Sequence, residues 1–139
     1  MSSMTDIFGD VISSYSRAQG IEDGVLVDVT DTAREAGFRF PVAMTRAAWE
    51  DTVAWSEADD KRKPGFTGQD ESGRLWDVVY MAAMASRRAT PGTDRLTYGI
   101  VRVPREGRGM RPKPVHLTLV IGPGDTAAPV FTIMGANES

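Results

Sequence analysis

The chain has 139 residues, 41% hydrophobic and 25% charged, with a net charge of −3 and no cysteine. That length suits one domain and that balance an ordinary globular protein. The missing cysteines exclude a disulfide framework, thiolate metal sites and a cysteine nucleophile.

Residues 6–19 place Ile7, Phe8, Val11, Ile12 and Tyr15 at helical spacing, with Asp6 as cap and Gly20 as stop. A β-branched run at 25–29 reads as a strand entered through a turn. Thr30 or Asp31 can cap a short helix, TAREA, which Gly37 ends. Phe38, Phe40 and Val42 alternate like a strand, and Pro41 places that strand at an edge or makes this its end. Thr45 starts a helix, TRAAWEDTVAW. Residues 56–70, SEADDKRKPGFTGQD, are charged and broken by glycine and proline, and are expected to form a mobile loop.

The strongest periodicity lies in 69–88. Leu75, Val78, Val79, Ala82 and Ala83 mark one helical face, and Trp76, Tyr80 and Met84 a second apolar stripe. Such a helix is expected to be buried around most of its circumference, with Trp49, Trp55 and Trp76 in or near the core. On that reading Trp76→Ala costs roughly 3–5 kcal/mol. Three strands follow, near 95–103, 115–121 and 130–134, with a dense turn at Gly122-Pro123-Gly124-Asp125. Short connections make them an antiparallel meander. The expected fold is a single α+β domain over 1–139, its helices packed on an antiparallel sheet with a C-terminal three-strand meander.

Residues 1–60 hold 12 acidic and 4 basic side chains, and the rest hold 7 and 12. Halves of opposite sign should attract each other within one domain. The basic surplus gathers in Arg102, Arg105, Arg108, Arg111 and Lys113, around a hairpin loop at 104–114. Arginine forks on such a loop suit an anionic ligand, nucleic acid or an acidic protein. The plainer alternative is a solvated hairpin tip, in which case replacing Arg105, Arg108 and Arg111 by alanine leaves stability nearly unchanged.

His116 is the only histidine, on the polar side of its strand and without a neighbouring acidic motif. Glu22, Asp23, Asp28 and Asp31 cluster, but a turn explains Asp23 and a cap Asp31, and the spacing matches no EF-hand. Asp28 has no such explanation. No metal site, cofactor or catalytic residue is expected, since phosphate loop, dinucleotide fingerprint, zinc motif and serine elbow are all missing.

The segments IFGDVISSYSRAQGIEDGVLVDVT, AREAGFRFPVAMTRAAW, QDESGRLWDVVYMAA and HLTLVIGPGD…PVFTIM span about residues 7–134. In them the chain resembles a family of small uncharacterised proteins encoded on bacterial plasmids, phages and integrated mobile elements. Such gene neighbourhoods include anti-restriction and other counter-defence proteins. The resemblance therefore implies an accessory role by association and assigns no residue a function. The expected function is that of a non-enzymatic interaction protein that binds, and thereby inhibits, a host protein complex. The alternatives are a small anionic-ligand or nucleotide-binding protein, and third an enzyme using Asp28, Arg17 or His116. No apolar run approaches the ~20 residues of a membrane span, and MSSMTDIFGD lacks the basic start of a signal peptide. A cytoplasmic location without membrane contact is expected.

Overall fold

The computed structural model describes residues 16–138. In chain order they form α1 (Arg17–Glu22), β1 (Leu26–Asp28), α2 (Thr30–Ala36), β2 (Val42–Thr45), α3 (Arg46–Thr52), α4 (Glu57–Arg62) and α5 (Glu71–Arg88). The hairpin of β3 (Arg95–Arg102) and β4 (Lys113–Pro123) follows, and then β5 (Pro129–Gly135). One sheet has the order β1-β2-β5-β4-β3. The α+β class and the adjacent C-terminal strands match the expectation. Two strands join them at the far side, and β2 runs parallel to β5. The long path from β2 through three helices and the hairpin supplies the crossover that a parallel pair needs.

Local signals explain most boundaries. Ser16 caps α1 with a reciprocal bond to Gln19, and the helix then runs through a buried Gly20 to Glu22. Gly20 is therefore not the expected stop, and most of the helix expected at 6–19 lies outside the described residues. Neither Thr30 nor Asp31 caps α2 with its side chain. Asp28 serves instead, accepting from the Thr30 amide at 3.0 Å, which gives this residue a structural use. Gly37 ends α2 at φ 110°, and a Cβ there would sit 2.5 Å from Arg87 Nη2. Glycine is required at that point. The expected strand through Phe38 and Phe40 begins only at Val42, because Pro41 precedes the paired residues.

The strand register fixes the core. Val42 and Met44, Phe131 and Ile133, Leu117 and Leu119, and Tyr98 and Ile100 share one face of the sheet. Helices α2, α3 and α5 pack over that face. Their inward positions are mostly small: Ala33, Ala36, Ala48, Val78, Val79, Ala82 and Ala83. Phe38 meets Phe131 edge-on at 4.9 Å, and the Tyr98 hydroxyl donates to the Val78 carbonyl at 3.1 Å. Burial raises the Tyr98 pKa, so it stays a neutral donor.

Helix α5 is one-sided. Val78, Val79, Ala82 and Ala83 face inward, while Trp76 and Tyr80 remain 37% and 41% exposed and lie against each other at 5.7 Å. The expected burial of the aromatic stripe is thus corrected. The gap between helix and sheet is set by alanine and valine, and an indole does not fit it. Trp76→Ala should accordingly cost only about 1–2 kcal/mol, less than a core tryptophan would. A chemical-denaturation midpoint at unchanged slope would measure this, and a loss of 4 kcal/mol or more, on the order of full-core values, would contradict it.

Candidate functional site

The structure separates the five cations expected to form a site. Arg102 is the last residue of β3 and only 6% exposed. Its Nη2 donates to the Arg74 carbonyl at 2.9 Å, and Nη1 lies 3.7 Å from Asp77. Burial lowers its pKa, and Asp77 opposes that shift. Arg105 reaches back to the acidic first part of the chain, donating to Glu50 at 2.6 Å and to Asp59 at 2.8 Å. Arg108, Arg111 and Lys113 stay exposed, with no ion pair among the described residues. Arg102, Arg105 and Lys113 do line one open groove of ≈ 590 Å³, but Glu50, Asp51 and Glu106 line it too. Three cations and three carboxylates leave it without a net charge for a small anion.

The hairpin is anchored from below. Residues 56–70, expected as a mobile loop, contain α4, nucleated by a capping box between Ser56 and Asp59. The S-x-x-D spacing of that box was present in the sequence and would have revealed the helix. Asp59 is 1% exposed and accepts from Ser56, from Arg62 and from Arg105. Lys63, 7% exposed, sends its ammonium into the turn of the hairpin. There it donates to the carbonyls of Pro104 (2.6 Å), Gly109 (2.8 Å), Gly107 (3.1 Å) and Glu106 (3.3 Å). Irregular backbone at a loop leaves such carbonyls without ladder partners, and the three N–H donors of one ammonium are shared among four of them.

Arg74 extends this network into the core. It is 2% exposed, donates to the Val53 and Val103 carbonyls at 3.1 and 3.2 Å and to Gln69 at 2.8 Å, and lies 4.9 Å over the Trp55 ring. Burial, with Arg102 and Arg105 nearby, pushes its pKa down to about 10, so it remains charged at neutral pH. Trp55 is buried as expected, bonded through its indole to Asp60 at 2.9 Å. Nothing in the sequence marks Arg74 or Lys63 for burial. Arg102 and Arg105 are therefore held within the fold, and of the five cations Arg108 and Arg111 in the loop and Lys113 at the start of β4 are left facing outward.

Next to this hairpin lies a largely apolar surface that includes Tyr80, expected to be buried. Tyr80 and Met81 of α5 and Ile100 and Val101 of β3 line a cleft of ≈ 470 Å³, with Asp77, Arg102 and Pro114 also on its wall. Val101 is 63% exposed. The cleft and the charged groove share Arg102 and Pro114, so the two surfaces meet there. His116 is exposed and stands opposite Gly99 on the outer face of the sheet, without an acidic partner among the described residues. No group of three or more histidine, aspartate or glutamate residues suited to a metal occurs among the described residues, and no helix there is long and apolar enough to cross a membrane.

The chain belongs to a family of unknown function (DUF6573), whose model matches residues 4–139. No curated protein and no solved structure matches it.

Proposed function

We propose that this chain is a non-catalytic protein-binding module whose contact face is the outward side of α5 with the adjoining strand β3. The observation that carries the reading is the linkage of exposed apolar groups: Trp76 lies against Tyr80, and Tyr80, Met81 and Val101 line one cleft. Large apolar side chains gathered beside a charged rim have the composition of interface centres, where aromatic residues and methionine are enriched. The charge balance of the groove at Arg105 favours a protein over a small anion. The resemblance described above supports a setting as an accessory protein of a mobile element that inhibits a host defence complex, and the expected cytoplasmic location suits that role.

Tyr80→Glu tests the reading. Its side chain is 41% exposed, so the fold should hold while the contact face acquires a charge. Affinity capture from a native host with the wild-type chain should recover a partner in stoichiometric amount. The variant should recover at most about a tenth of it, as expected for a central interface aromatic. Equal recovery by both chains, with matching thermal melts, would place the binding face elsewhere.

A further inference from the structure

Strand β3 ends the sheet, and its outer edge has no neighbour among the described residues. The Ile121 amide donates to the Asp94 carbonyl at 2.8 Å, which makes that pair a hydrogen-bonded one. Alternation along the ladder then turns the amides and carbonyls of Arg95, Thr97, Gly99 and Val101 away from β4, toward the open side. The cleft between α5 and β3 runs along this same edge. An edge strand with free backbone groups and an apolar wall beside it is the arrangement that accepts one more strand.

We infer that the cleft receives an extended segment of another protein, added as a sixth strand against β3, apolar at alternate positions and acidic at the end beside the hairpin. The inference rests on the protein-binding reading and specifies its mode. Backbone bonds to Thr97, Gly99 and Val101 would hold the segment. Alternate side chains would enter the cleft at Tyr80 and Met81, and the others would lie beside Val101. The acidic end follows from charge. At Arg102 the cleft is also lined by its partner Asp77, so those two charges offset each other, and beyond them the hairpin carries exposed Arg108, Arg111 and Lys113 against Glu106 as its one exposed acid. A second copy of this chain fits less well, because its own β3 is bounded by Arg95 and Arg102 and brings no acidic run.

The full chain can be panned against a random short-peptide display library, and the enriched sequence made synthetically. Enriched peptides should alternate apolar residues and carry aspartate or glutamate at one end. In the complex, the amides of Thr97, Gly99 and Val101 should become protected from hydrogen exchange. Gly99→Pro removes an outward donor at an edge position where proline is tolerated, and an added Cβ meets only the His116 ring, at 3.7 Å. It should weaken peptide binding by about tenfold or more, whereas Gly99→Ala should not. The Arg108→Ala/Arg111→Ala pair should weaken binding and flatten its salt dependence. Binding without protection of these three amides, or insensitive to Gly99→Pro, would overturn strand addition while leaving the module reading standing. Enrichment of peptides without acids, or of none, would overturn the stated partner chemistry. A concentration-dependent dimer that Gly99→Pro abolishes would assign the edge to self-association instead. Loss of stoichiometric capture by Tyr80→Glu, tested separately, bears on the module reading alone.

Discussion

Leu119→Ala should destabilise the domain by about 3–5 kcal/mol, the upper part of the range for buried leucines. Leu119 is fully buried and lies on β4, between Leu96 of β3 and Ile133 of β5 in register. Its strand is held by ladders on both sides, so the backbone cannot move inward to fill the space. Above it pass the rigid valines and alanines of α5, which have few rotamers with which to reach into a void. The cavity should therefore persist. Urea unfolding would show a lower midpoint with unchanged slope. Val101→Ala, at a side chain 63% exposed, should cost less than about 0.5 kcal/mol and serves as the comparison. A Leu119→Ala loss below about 1.5 kcal/mol would mean that the core repacks, and that the close fit of helix to sheet is looser than its side chains indicate.

How far the fold could be read from the sequence depends on whether the signal was local. Helix α5, the β3–β4–β5 order and the Gly37 terminator all rest on neighbours within a few residues, and all are found. The inward face of α5 was not legible. Two apolar stripes competed, and hydrophobicity favours burying Trp76 and Tyr80 over Ala82 and Ala83. The choice is made by the close approach of α2 and the sheet, which belongs to the tertiary structure. Arg74 lies on the inward side against every composition rule, because its acceptors are the carbonyls of Val53 and Val103 and the side chain of Gln69. The parallel pairing of Val42 with Phe131 joins opposite ends of the chain and leaves no local trace. The basic loop was visible as composition, but its division into structural and outward cations was not. Arg105 finds Glu50 and Asp59 at sequence separations of 55 and 46 residues.

That division leads to the second large effect. Asp59→Ala should cost about 2–3 kcal/mol and loosen the hairpin as well as α4. Removing one partner of a buried ion pair typically costs about 3–5 kcal/mol, since the remaining charge is left uncompensated. Here the carboxylate is 1% exposed but Arg105 and Arg62 are 30% and 45% exposed, so water can take over part of their solvation and the cost is smaller. The same change removes the Ser56–Asp59 capping box, which adds to the loss. Asp59→Asn keeps an acceptor for Ser56 and should fall between the two. Arg105→Ala should lose stability too, so the alanine triple at 105, 108 and 111 is not neutral as expected of a solvated tip. The pair at 108 and 111 alone should be neutral within about 0.5 kcal/mol. A double-mutant cycle between Asp59 and Arg105 should give a coupling of about 1–2 kcal/mol. Amide exchange separates the two anchors of the hairpin. If Asp59 and Arg105 hold it, exchange across 103–112 should quicken in Asp59→Ala even with Lys63 in place. Unchanged exchange there would mean that the four carbonyl bonds of Lys63 suffice, and that the carboxylate stabilises α4 alone.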